Sequence, residues 1–185
     1  MSKIGNKPID LTPAVQVQIE GNTVTIKGRE GELNFQIPKV LSLIKEVDKI
    51  YLKRKNEEKK TKSLHGLFRQ IIFNAIKGVE IPWQRKLEIV GTGFNVKLQG
   101  EELIFKIGYS HPVIFKKVQG IKFQVEGSNK IIVSGSNKEL VGQVAYRIKI
   151  LKKPDVYKGK GIRYQGEILK LKPGKKVKTV TAGSA

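Results

Sequence analysis

Three stretches of this chain hold residue types that could bind or transform a ligand. Ser110 beside His111 offers a hydroxyl and an imidazole, the partners of nucleophilic catalysis. Adjacent side chains in an extended segment point to opposite faces, and no acidic residue is placed to orient the ring, so no catalysis is expected there. Gly91-Thr92-Gly93 could cradle a phosphate, but it leads into strand-like residues and opens no helix. A turn or bulge between strands is its expected role. The stretch from Lys152 to Tyr164 is different, because it interleaves Lys152, Lys153, Lys158, Lys160 and Arg163 with Tyr157, Tyr164, Gly159 and Gly161. Each type has a use on RNA: cations neutralise phosphates and release counterions, tyrosines offer rings to unstacked bases, and glycines let the backbone come close. The apolar Ile162, Ile168 and Leu169 argue against a merely solvating tail.

The elements that must carry these residues can be read from periodicity. Val15, Val17 and Ile19 alternate with polar residues, Gly21-Asn22 turns the chain, and Val24 and Ile26 resume the alternation. Leu33, Phe35 and Ile37 complete a three-stranded meander, closed by Pro38. Ile50 to Leu52 reads as a further strand, Lys53 to Lys62 as a charged loop, and Leu64, Leu67, Phe68, Ile71, Ile72, Ala75 and Ile76 as a helical stripe. Gly78 is expected to end that helix, with Pro82 barring its continuation. His65 then reads as a partly exposed surface histidine, Glu101-Glu102 as a solvated hairpin turn, and Trp83 as packing between domains.

The second half repeats this order. Val24 to Gly28 matches Val96 to Gly100, Leu33-x-Phe35-x-Ile37 matches Leu103-x-Phe105-x-Ile107, Asp48-Lys-Ile50 matches Asn129-Lys-Ile131, and Leu64-x-Gly66 matches Leu140-x-Gly142. The second helix should open with a capping box, Ser136-x-x-Glu139. The expected fold is therefore α+β, with two tandem duplicated domains, each an antiparallel sheet packed with one helix. Their expected bounds are 1–82 and 83–151, followed by a basic tail over 152–185.

Composition narrows the function. The 185 residues carry 36 Lys and Arg against 16 Asp and Glu, a net charge of +20, and no cysteine. Thiolate catalysis, disulfides and cysteine-ligated zinc are excluded together, and two histidines supply metal chemistry poorly. No apolar run approaches the roughly 20 residues of a membrane-spanning helix, and the first residues lack the pattern of a signal peptide. A cytosolic address with no membrane partner is expected. Residues 151–185 hold 10 basic and 2 acidic side chains, a concentration that fits a polyanion. Glycines and prolines break that segment too often for a basic membrane-surface helix. The basic residues are 30 Lys to 6 Arg, which suits backbone and shape recognition better than base reading. An RNA-modifying enzyme and an architectural DNA-binding protein are the competing readings. The first lacks a cluster of titratable groups, and the second should bind duplex DNA and RNA alike.

Pro154-Asp-Val-Tyr-Lys-Gly-Lys-Gly-Ile162, with Arg163, Tyr164 and Glu167, closely resembles the hallmark of the bacterial-type large-subunit ribosomal protein L-six family. The resemblance extends to Ser2-Lys-Ile-Gly-Asn-Lys-Pro-Ile9, to Gly108-Tyr-Ser-His-Pro-Val113, and to Ser134-Gly135 with Lys138 and Val141-Gly-Gln143. Lys149 and Lys152 depart from it where arginine is frequent, as does Lys170-Leu-Lys-Pro-Gly174. The resemblance implies a non-enzymatic structural constituent of the large ribosomal subunit, without cofactor, docking on 23S-type rRNA near the sarcin-ricin loop and the translation-factor site. Tyr157, Lys158, Gly159, Lys160, Gly161, Arg163 and Tyr164 would then contact rRNA, with Lys152 and Lys153 beside them. Lys170, Lys172, Lys175, Lys176 and Lys178 are added on charge alone. Implied partners are large-subunit rRNA, neighbouring ribosomal proteins and, nearby, translation factors.

Overall fold

The computed structural model describes residues 3–174. In the first half, β1 (Ile9–Asp10) precedes the expected meander of β2 (Gln16–Glu20), β3 (Thr23–Gly28) and β4 (Gly31–Gln36). Its register sets Ile26 between Val17 and Leu33, and Val24 between Ile19 and Phe35. The period-two alternation thus puts one apolar face inward, and Val17, Val24 and Ile26 are buried. A second sheet joins β5 (Leu41–Lys45) and β6 (Lys49–Arg54) to β1 in the order β1-β6-β5. Helix α1 (Lys59–Glu80) closes this core with Ile72, Ala75, Ile76 and Val79.

The second half is built the same way, from β7 (Trp83–Val90), β8 (Asn95–Gln99), β9 (Glu102–Lys106), β10 (Val113–Phe115), β11 (Ile121–Glu126), β12 (Lys130–Gly135), α2 (Lys138–Leu151) and β13 (Gly161–Tyr164). β8, β9 and β10 form the meander, and β11-β12-β7-β13 the second sheet, all pairings antiparallel. Each repeat therefore divides its strands between two sheets rather than one.

The duplication holds, but its strand register differs from the expected one. The central strand of each meander is β3 and β9, so Val24 and Ile26 answer to Leu103 and Phe105, 79 residues on, and all four are fully buried. Val17 answers to Val96 at the same spacing, and Ile9 paired with Ile50 answers to Leu87 paired with Ile131. Matching Val24 to Val96 slipped the comparison by one strand, because successive strands of a meander share one alternating pattern and differ only in burial. The helices do match at the expected spacing of 76, with Phe68, Arg69 and Ile72 answering to Val144, Ala145 and Ile148.

Four local expectations are corrected. α1 begins at Lys59, inside the expected loop, since lysines favour helix but add nothing to an apolar stripe when the first turn is solvated. It runs through Gly78 to Glu80. That glycine ends nothing; a Cβ there would strike the Ser136 carbonyl oxygen and the Trp83 ring, so its task is to let the second domain approach the helix. α2 is capped by Asn137, whose side chain accepts from the Glu139 and Leu140 amides at 3.0 and 3.3 Å, and Glu139 holds Gln143 instead of closing a box. His65 is 1% exposed. Its Nε2 donates to the Leu52 carbonyl at 2.7 Å, while Arg69 donates to the carbonyls of Lys7 and Pro8. Thr61, His65 and Arg69 form a buried polar line at i, i+4, i+8 that grips β6 and the N-terminal segment. Polar residues at that spacing resemble a solvent face until their backbone partners are known. Trp83 packs between the domains as expected, its Nε1 donating to the Asn74 carbonyl at 3.0 Å under the ammonium of Lys138.

Candidate nucleic-acid interface

The stretch expected to be a tail beyond residue 151 is in part a strand of the second domain. Ile162 pairs with Ile89 and Tyr164 with Leu87, and Ile162 is fully buried between the sheet and α2. The chain leaving α2 runs along the outer edge of β13, where the Ile162 amide donates to the Lys152 carbonyl at 2.8 Å. Gly161 makes that approach possible: its φ is +150°, and a Cβ would lie 2.6 Å from the Cα of Pro154 and 2.8 Å from the Lys153 oxygen.

Between these rails residues 155–160 form a tight turn organised by one carboxylate. The Lys158 and Tyr157 amides donate to Asp155 at 3.0 and 3.3 Å, and the main chains of Asp155 and Lys160 close the loop at 2.9 Å. The Lys158 amide above all, with that of Tyr157, holds the Asp155 carboxyl below its ordinary range. Lys158 and Lys160 are exposed on this turn, as is Lys153 just before it, and Tyr157 is 58% exposed. Gly159 is buried, its amide donating to the Asp155 carbonyl.

Arg163 and Tyr164 lie inward of that surface. Arg163 reaches Glu88 at 3.4 Å, and the Tyr164 ring carries the cations of Arg85 and Lys149, each 4.5 Å from its centroid. Both residues are engaged in holding β13, which distinguishes them from the open ring of Tyr157. Glu167 ties the same corner, accepting from Lys149 at 2.6 and 2.7 Å and from the Tyr164 amide at 3.0 Å.

These bonds, Lys149 foremost and then the Tyr164 amide, hold the Glu167 carboxyl below its ordinary 4.5. A depressed folded value gives stability that is complete above the unfolded value and lost as pH falls through the folded one. Glu167→Gln should therefore flatten the loss of urea midpoint as pH falls below about 5, leaving less to lose than in the unaltered chain. Parallel acid limbs for the two proteins would refute the linkage.

Similarity to known proteins coincides with this geometry. The family described as Ribosomal protein L6 matches residues 13–80 and 90–165, one stretch in each repeat. The chain belongs to the ribosomal protein L6 family. Proteins named Large ribosomal subunit protein uL6 are similar to it over nearly their whole length. That of Synechococcus sp. (strain JA-3-3Ab) is 45% identical over 175 residues, 95% of this chain and 97% of its own. That of Thermoanaerobacter sp. (strain X514) is 44% identical over 176 residues, 95% and 98% of the two chains. That of Prochlorococcus marinus (strain NATL2A) is 44% identical over 179 residues, 97% of this chain and 100% of its own.

The L6 match takes in β13 and stops short of Lys170 and Lys172. Both are exposed, and the Lys172 amide folds back to donate to the Val156 carbonyl at 2.8 Å, which brings the segment against the turn. Lys175, Lys176 and Lys178 lie outside the described residues. Sequence reasoning gave Tyr109 no role at the interface, yet its hydroxyl donates to the Leu151 carbonyl at 2.9 Å and Lys152 covers its ring at 4.5 Å. The Gly108-to-Val113 motif held the signal, since it was singled out without a task. Ser110 and His111 follow on the same exposed bend with Oγ and Nδ1 3.5 Å apart, not on opposite faces, because the bend breaks strand alternation. Gly91 and Gly93 occupy the turn between β7 and β8, as expected. Among the described residues no three His, Cys, Asp or Glu gather into a metal-ligating group.

Proposed function

We propose that this chain grips large-subunit rRNA through the turn that β13 holds out from the second domain. As a member of the L6 family it is a structural component of the large ribosomal subunit, working in the ribosome of the cytoplasm. The observation that carries the finer reading is the 155–160 turn itself, where Lys158 and Lys160, with Lys153 just before them, are exposed along with the ring of Tyr157 on a backbone pinned at both ends. Ammonium groups there reach phosphates and the ring takes an unstacked base or ribose, while Lys152 beside Tyr109 and the lysines at 170 and 172 widen the cationic surface. Gly159 and Gly161 shape the turn, and Arg163 and Tyr164 position it from beneath. Lys175, Lys176 and Lys178 would extend the contact.

The fitting target is the region of 23S-type rRNA near the sarcin-ricin loop and the translation-factor site, with neighbouring ribosomal proteins and translation factors close by. The role is assembly and support, with no chemistry performed by the chain. Hydroxyl-radical footprinting of the bound chain on large-subunit rRNA should show protection in that region, and protection confined to other regions would overturn the placement.

A further inference from the structure

The two repeats end their β6–α1 and β12–α2 connections in opposite ways. In the second repeat the connection is Ser136-Asn137, and it is occupied: the Ser136 carbonyl faces Gly78, and Lys138 covers Trp83. In the first repeat the corresponding end is longer and strongly basic, running Lys53-Arg-Lys55-Asn-Glu-Glu-Lys59-Lys60-Thr-Lys62. Glu57 accepts from Arg54 at 2.7 Å and from Lys62 at 3.1 Å. Lys53, Lys55, Lys59 and Lys60 are exposed, and among the described residues no carboxylate pairs with them. Lys55 also borders a polar concavity lined by Gly21, Asn22 and Ser42.

Unpaired ammonium groups crowded on one end repel each other, a cost that a polyanion removes. The end contains no aromatic residue to stack on a base, and its one arginine is engaged with Glu57. What remains is suited to phosphates and blind to sequence. From Lys60 to Gly78, α1 sets this end about 27 Å from the junction with the second domain, at 1.5 Å per residue.

We propose that Lys53, Lys55, Lys59 and Lys60 form a second RNA-binding surface, which holds the phosphate backbone of a duplex RNA segment separate from the one at the 155–160 turn. This rests on the reading that the chain binds large-subunit rRNA. With two surfaces on one chain, the second contact forms at the high effective concentration set by the first, and avidity exceeds either contact alone.

The test uses the full chain and whole large-subunit rRNA across a salt series, with K53Q/K55Q/K59Q/K60Q as one variant and K153Q/K158Q/K160Q as the other. Loss of four phosphate contacts should lower the slope of log affinity against log salt by about 3 in the first variant. The same variant should lose a set of hydroxyl-radical protections that the second variant keeps. Exposed lysines changed to glutamine leave the thermal midpoint unmoved, and K53R/K55R/K59R/K60R, which keeps every charge, should retain the slope. An unaltered slope with all protections intact would overturn the proposal. So would a first variant that keeps its rRNA protections but, when assembled with the other large-subunit proteins on the same rRNA, fails to retain an acidic ribosomal protein, because the partner would then be a protein. Absence of effect in the second variant would count against the second-domain interface alone, since the first-domain surface is read from its own protections.

Discussion

Replacing Ile162 by alanine should lower the unfolding free energy by about 2–5 kcal/mol, the range for truncating a large aliphatic side chain in a core. Ile162 is fully buried and pairs with Ile89 on β7, so its loss opens a void between the sheet and α2 that the closed strand cannot collapse to fill. Gly161→Ala should act in the same direction, because the added Cβ meets main-chain atoms of Lys153 and Pro154, which cannot swing aside as a side-chain end could. Lys158→Gln and Lys160→Gln, four and two residues before Ile162, should stay within about 0.5 kcal/mol of the unaltered chain, as exposed substitutions do. Urea denaturation followed by circular dichroism separates these classes. An Ile162→Ala midpoint equal to that of Lys160→Gln would mean that β13 is not part of the folded domain. Removing everything after Leu151 is by the same argument a folding experiment, since it strips β7 of a neighbour and uncovers Leu87 and Ile89.

The alternation of Val17, Val24 and Ile26 and of Val96, Leu103 and Phe105 made the meanders legible, because a half-buried antiparallel strand must show its inner face at period two. α1 and α2 were legible for the same reason at period 3.6. β13 was not, because Gly161-Ile162-Arg163-Tyr164 buries only one apolar side chain, that of Ile162, and follows a glycine and lysine run that reads as solvated. Strand pairing there is decided by the free edge of β7, a partner some 70 residues earlier that no local window contains. The polar line Thr61, His65 and Arg69 was hidden differently: His65 and Arg69 are partnered by backbone carbonyls, and carbonyls leave no mark in a sequence. At the site, residue types pointed to the correct turn but could not sort its members. Tyr157 and Tyr164 are identical in composition terms and opposite in use, one open to solvent and the other held against the cations of Arg85 and Lys149.

That sorting carries the second large expected effect. K153Q/K158Q/K160Q/K170Q/K172Q should lower the salt slope of rRNA binding by about 3.5 to 4.5, since each lost phosphate contact removes about 0.7 to 0.9. Its thermal midpoint should not fall, because all five ammonium groups are exposed. Tyr157→Ala should weaken binding by about 1–3 kcal/mol with the slope unchanged, because stacking releases no counterions. Tyr164→Ala should give the reverse pattern, a lowered midpoint with little loss of affinity once the chain is folded, since its ring is engaged with Arg85 and Lys149. Filter binding at four or more salt concentrations, paired with thermal melts, reads all three. Should Tyr164→Ala cost more affinity than Tyr157→Ala at equal folded fraction, the inner ring would be the one that meets RNA. β13 would then have to open on binding, and Arg85 and Lys149, released from the ring, would join the phosphate contacts and raise the slope of the unaltered chain accordingly.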